Sequence, residues 1–187
     1  HYARERVQGT DIRKFGDPNA PRVTINQHPD VRRMLMWQKV HVETMRSLIY
    51  HTAMRIDVAL ATEDEDLKAH LDGQIALLTP VIKAYCSDKG FESAVIGLQC
   101  FGGYGYTGEY AVEQHVRDTK IASIYEGTNG IQAADLVNRK LARDGGAMME
   151  TVHDEVRGVA DALMGSSDDR LAAMGTALSD TLSLIHI

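Results

Sequence analysis

The chain has 187 residues and a formal net charge of −6, with 44% hydrophobic and 25% charged residues. That is the composition of an ordinary globular protein, and no apolar run approaches the length needed to span a bilayer. Charge is uneven: residues 1–60 carry ten Lys/Arg against six Asp/Glu, and residues 61–187 carry ten against twenty, so a nucleic-acid-binding face is not expected in the acidic part.

The chain opens at His1 inside the helical-looking run HYARERVQ, so it is expected to begin part-way through a longer protein. Tyr2 to Gln8 reads as the last turns of a helix. Residues 9–27 (GTDIRKFGDPNAPRVTINQ), rich in Gly, Pro, Asp and Asn, read as an irregular loop. A long helix is predicted from Pro29 to about Thr62, since proline suits a first turn. Its expected buried stripe includes Leu35, Val42, Met45, Ile49 and Ile56. Thr62 is expected to cap a second long helix with an acidic first turn, running to about Phe101 and adjusting near Pro80 and Gly90. A glycine loop follows, then a short helix near 110–119 and another from about Thr128 to Leu141. RDGG (143–146) breaks the chain, a helix covers 147–164, and GSSDD turns it into a last segment. The fold class expected is all-α, an antiparallel helical bundle with functional loops at its ends.

FGGYGYTGEY (101–110) places Gly103, Gly105 and Gly108 at the spacing G-x-G-x-x-G. In a dinucleotide-binding turn that spacing must follow a buried strand and open a helix. Here Phe91, Ala94, Val95, Leu98 and Phe101 trace a helical face, so the Rossmann reading is rejected. Metal and nucleophile templates fail as well. His41, His51 and His70 read as surface or satisfied core residues, no G-x-S-x-G or P-loop occurs, and Cys86 and Cys100 have no partners at metal spacing. So few cysteines suit a reducing compartment.

The segment IYEGTNG (124–130) stands out. By position alone Glu126 reads as a surface residue complementing a helix dipole. A carboxylate set among apolar neighbours would instead have its charged form disfavoured, raising its pKa and suiting it to act as a general base. Gly127 would allow a thioester to come close, and Thr128 would cap the next helix.

The stretch GLQCFGGYGYTGEYAVEQHVRDTKIASIYEGTNGIQ, with YARERVQG at residues 2–9, closely resembles the C-terminal domain of the acyl-CoA dehydrogenases over roughly residues 1–142. The resemblance implies FAD-dependent α,β-dehydrogenation of an acyl-CoA thioester, part of fatty acid β-oxidation. It makes Glu126 the catalytic base that removes the α-proton. It places Gly127 on the substrate and Thr128 and Asn129 against the flavin. It assigns Gln99, Gly102 and Gly103 to FAD of a neighbouring subunit, with Gly105 and Gly108 serving the turn, and matches Arg6 to the arginine that meets the FAD pyrophosphate. Arg117 and Asp118 match a block read as structural. Implied partners are acyl-CoA, an electron-transfer flavoprotein as acceptor, and further copies of the chain in a homodimer or homotetramer. The implied location is the bacterial cytoplasm.

Three departures are visible: Gly9 directly after Gln8, Pro29 where many members carry glutamine, and Gly130 where a polar residue is frequent. With HPDVRRM and RDGG they resemble the longer bacterial branch that includes 3-methylmercaptopropionyl-CoA dehydrogenases. Residues 143–181 would then begin an extra C-terminal helical domain. LSLIHI (182–187) matches a transposon-type sequencing adapter translated in one frame and is expected to be a read-through tail. The competing expectations are an acyl-CoA oxidase, which the Y-E-G-T-N-G-I-Q element disfavours, a nucleic-acid-binding relative, and a purely structural bundle.

Overall fold

The computed structural model describes residues 1–183; the greater part of the LSLIHI tail, 184–187, lies outside the described residues. Seven α-helices dominate the described residues: α1 Tyr2–Glu5, α2 Pro29–Ala61, α3 Glu65–Phe101, α4 Val112–Lys120, α5 Asn129–Asp135, α6 Ala147–Met164 and α7 Asp169–Ser183. The chain forms two compact units. The first comprises His1–Met54 and Pro80–Ala133; the second comprises Arg55–Thr79 and the described chain from Ala134 onward. No described helix is long and apolar enough to cross a membrane.

Segment 9–27 is more ordered than its composition suggests. Val7–Thr10 (β1) and Arg22–Thr24 (β2) form an antiparallel ribbon, with Val7 opposite Thr24 and Thr10 opposite Arg22. The opening helix therefore stops at Glu5, because Val7 and Gln8 are drawn into the ribbon. The loop between the strands is pinned by Asp11, which accepts from the Arg13 backbone N–H at 2.9 Å and from its guanidinium. That hydrogen bonding holds the Asp11 carboxyl well below the usual carboxylate range.

Helices α2 and α3 pair antiparallel across a three-residue connection. In the first unit the Lys89 ammonium lies 5.4 Å from the Trp37 ring centre, and the Gln38 amide donates to Cys100 Sγ at 3.8 Å. In the second, Arg55 Nε donates to Gln74 Oε1 at 2.7 Å. Asp64, rather than Thr62, caps α3: its carboxylate accepts from the backbone N–H groups of Asp66 and Leu67, both at 3.0 Å. The Thr62 hydroxyl accepts from Asp64 N instead, because it lies two residues before the capping position. Pro80 sits inside a continuous α3.

The expected stripe on α2 is corrected. Leu35, Val42, Ile49 and Ile56 are exposed, whereas Met34, Thr52, Arg55 and Ala59 are buried. Apolar residues occur on several faces of α2, so periodicity alone could not select the one that α3 covers. The helix entered at Thr128 also changes character, from α5 to a π-turn over Leu136–Leu141. Helix α6 keeps its expected bounds, with the Asp144 carboxylate accepting from the N–H groups of Gly146 and Met148, both at 3.0 Å. It packs on α7 through fully buried Ala160 and through Gly175, where a Cβ would stand 2.6 Å from Met164 N.

Candidate active site

The first unit carries two groups of sequence-singled residues. One surrounds the end of α3. Phe101 stacks on Tyr2 with ring centres 4.2 Å apart, and Tyr110 meets both rings edge-on. This cluster fastens α1 to the glycine turn Gly102–Tyr106. A cleft of about 450 Å³ opens beside it, lined by Tyr2, Arg6, Gln8, Gly102, Gly103 and Tyr104. Gln99 is exposed on the rim of the adjoining cleft, with Arg6, His28 and Gly102.

Arg6 is held by its surroundings rather than by a carboxylate. Its guanidinium carbon lies 5.1 Å from the Tyr104 ring centre, and its buried Nε has no hydrogen-bond partner among the described residues. Its backbone carbonyl accepts from Ile25 N at 2.8 Å, fixing the entry to the ribbon. His28 completes this wall through a 2.6 Å hydrogen bond from its ring Nε2 to the Gln8 carbonyl. A guanidinium with an unpaired buried donor, beside main chain bare of side chains, fits an anionic group such as a phosphate. Nothing lies within 4 Å of where a Cβ would stand on Gly102 or Gly103, so the main chain there can be approached closely.

The glycine spacing has a structural explanation. Gly105 is buried, and a Cβ on it would stand 2.6 Å from the Leu98 carbonyl oxygen and 2.8 Å from Phe101 Cβ. The turn closes back on the end of α3 and tolerates no side chain. Gly105→Ala is expected to cost about 1–3 kcal/mol by overpacking. Gly108→Ala, in open space, should shift stability by less than about 0.5 kcal/mol. Urea unfolding of both variants checks the contrast.

The second group lies on the loop entering α5. Glu126 is exposed and takes a left-handed backbone, φ 56°, followed by Gly127 at φ 81°. For a residue with a Cβ that conformation costs of order 1–3 kcal/mol and persists only where neighbours enforce it. Gln132 Nε2 donates to the Glu126 carbonyl at 3.2 Å, and the Thr128 hydroxyl accepts from Ile131 N at 3.3 Å. Asn129 is half-buried and hydrogen-bonded to α3. Ile124 and Tyr125 are themselves about half exposed, so this chain does not build the apolar enclosure expected around Glu126. Among the described residues no hydrogen bond or ion pair joins the Glu126 group to the Arg6 group.

Other candidates stay structural. Burial pushes the thiols of Cys86 and Cys100 up, which keeps both protonated and unreactive near neutral pH. His41 stacks on Trp37, and Asp118 accepts from Gln114 Nε2 at 2.6 Å. Among the described residues no cluster of His, Cys, Asp or Glu could hold a metal ion. Sequence reasoning missed Tyr104, which carries Arg6, and Lys83 and Asp88, which hold Asn129. Each is defined by a partner far along the chain, so no local pattern could have marked it.

The all-α build, the glycine turn closing α3 and the strained carboxylate loop together define a helical domain that carries two candidate binding groups in its first unit. The chain belongs to the acyl-CoA dehydrogenase family: the family model described as Acyl-CoA dehydrogenase, C-terminal domain, matches residues 17–141. It is 40% identical to the broad-specificity linear acyl-CoA dehydrogenase FadE5 of Mycobacterium tuberculosis, over 96% of this chain and 30% of that protein. It is 39% identical to a 3-methylmercaptopropionyl-CoA dehydrogenase of Ruegeria pomeroyi, over 78% of this chain and 24% of that protein. A chain from the solved structure concerning the electron transferring flavoprotein of Acidaminococcus fermentans matches with a TM-score of 0.52 and 28% identity, over 72% of this chain and 29% of that one. The solved apo-form of Bd2924 shares the fold, with a TM-score of 0.66 at 19% identity over 97% of this chain and 34% of that one. The chain thus spans about three-tenths of the length of the first of these curated relatives and about a quarter of the second.

Proposed function

We propose that this chain is the C-terminal helical part of an FAD-dependent acyl-CoA dehydrogenase in which Glu126 removes the substrate α-proton. The observation that carries the reading is the Glu126–Gly127 pair, held left-handed on an exposed loop of a chain whose family acts on acyl-CoA. A carboxylate presented this way can take a proton from the carbon next to a thioester carbonyl, where the carbonyl stabilises developing negative charge. Gly127, without a side chain, leaves room for the thioester. The α-proton goes to the Glu126 carboxylate, a hydride leaves the β-carbon, and a carbon–carbon double bond forms between them. FAD, when bound, supplies the two-electron acceptor for that hydride.

Arg6 would hold the pyrophosphate, because its unpaired buried Nε and its fork of donors suit phosphate oxygens. Gln99, Gly102 and Gly103 would meet the cofactor along the same cleft, and Thr128 would lie against the flavin. The site would be completed across two copies of the chain, in a homodimer or homotetramer. An electron-transfer flavoprotein is the acceptor this reading favours, and the bacterial cytoplasm the location. The extra helices beyond residue 142 suit the longer branch of the family.

Anaerobic titration of the full-length protein tests the reading. The panel is butyryl-CoA, octanoyl-CoA, palmitoyl-CoA and 3-methylmercaptopropionyl-CoA, with flavin absorbance as the readout. Bleaching by at least one thioester is expected and selects the substrate class. Bound flavin that no thioester reduces would overturn the reading and direct attention to salt-dependent DNA binding.

A further inference from the structure

The side chain of Asn129 is saturated by one face of α3. Lys83 Nζ donates to its Oδ1 at 2.8 Å. Its Nδ2 donates to Asp88 Oδ1 at 2.7 Å and to Ser87 Oγ at 2.9 Å. Ser87 in turn donates to the Ala84 carbonyl at 3.2 Å. The amide has one orientation only. Reversing it would set its NH2 against the Lys83 ammonium and its oxygen against the Asp88 carboxylate. A cation and an anion, five residues apart on α3, thus read the two ends of one amide.

Asn129 is also the first residue of α5 and stands three positions after Glu126. Gln132, one turn into the same helix, donates to the Glu126 carbonyl. The strained residue is therefore bounded on its C-terminal side by a helix whose first residue is tied to α3. We propose that the Lys83–Asn129–Asp88 clamp is a positioning device that fixes the Glu126 loop for proton abstraction, a role for Asn129 distinct from contact with the flavin. The inference rests on the reading of Glu126 as the base. The clamp acts through the Glu126 backbone: without it the left-handed loop can relax and the carboxylate leaves its working position. Such a residue governs the rate of the chemical step and leaves cofactor and substrate binding in place.

The test uses the full-length, FAD-loaded enzyme and the thioester that bleaches its flavin fastest in the panel above. Uptake of solvent deuterium at the substrate α-carbon reports proton abstraction directly; flavin content, kcat and KM are read alongside. Asn129→Leu is expected to slow exchange and kcat about 10–100-fold, within the range a small misplacement costs, with KM and flavin content within about twofold. In a Glu126→Gln background the same change should cost nothing further.

Asn129→Asp alone sets two carboxylates face to face and should be slow. Combined with Asp88→Asn, it restores a donor–acceptor pair with reversed roles while still accepting from Lys83, and exchange should recover to within about threefold. This exchange of roles keeps the test decisive where Asn129→Leu fails to fold. If Asn129→Leu keeps near-normal exchange, loses flavin in parallel with rate, or adds its loss to that of Glu126→Gln, the clamp is overturned while Glu126 stands. Failure of the paired replacement to recover exchange does the same. If Glu126→Gln itself retains exchange, the base assignment and the clamp fall together.

Discussion

Replacing Glu126 by glutamine is expected to slow flavin reduction by at least ~10²–10⁴-fold, the usual contribution of a positioned general base. The fold should not change. The Glu126 side chain is exposed and makes no hydrogen bond or ion pair among the described residues, so no packed partner is lost. The amide is isosteric, and the left-handed strain resides in a backbone with the same Cβ, so its cost is the same in both proteins. What disappears is the capacity to take a proton. Stopped-flow mixing of the full-length variant with acyl-CoA under anaerobic conditions measures the effect. Flavin absorbance before mixing and thermal unfolding serve as controls. Turnover within tenfold of the parent, with flavin bound, would remove Glu126 from the role and return it to the surface residue that its position alone suggests.

Local chemistry made several elements readable. Gly145 and Gly146 before Ala147 and Gly165 after Met164 punctuate α6, and its bounds follow from them. Pro29 marks the start of α2 in the same way. The β1–β2 ribbon was hidden because its strands have only four and three residues, too short for an alternation, and are set by long-range backbone bonds such as Ile25 N to Arg6 O. The buried side of α2 was illegible for another reason. Thr52 and Arg55 are inside and Leu60 is 79% exposed, an inversion that only the neighbouring helices decide. At the candidate site, the Glu126 loop was marked by its motif. The groups that restrain it were not: Lys83 and Asn129 are separated by 46 positions and meet only once α3 and α5 are built.

The largest stability effect is expected in the second unit, from Glu155→Ala. Arg55 on α2, Gln74 on α3 and Glu155 on α6 form one polar cluster. Arg55 donates from Nε to Gln74 and from Nη2 to Glu155 Oε2, and Gln74 Nε2 donates to Glu155 Oε1 at 2.6 Å. Gln74 is 1% exposed, so the loss of its acceptor is not made good by solvent. The Arg55 side chain is 8% exposed and that of Glu155 41%. Breaking a fully buried pair costs about 3–5 kcal/mol. Water can reach the Glu155 side of this pair, which places the expected loss at about 3 kcal/mol or slightly less. For a chain of this size that lowers the unfolding midpoint by about 6–12 °C. Asp154→Asn, which removes a neighbouring pair with both side chains more than half exposed, should shift stability by no more than about 0.5 kcal/mol. Thermal and urea unfolding of the two variants compare them directly. Arg55→Met combined with Glu155→Leu gives the sharper result. It removes the buried guanidinium together with the Glu155 carboxylate, sets apolar side chains in their place, and is expected to recover at least half of the loss, as replacement of a buried ion pair by packed apolar groups commonly does. If the double variant is no more stable than Glu155→Ala, the Arg55–Glu155 pair is not the cause and the Gln74 amide carries the cost.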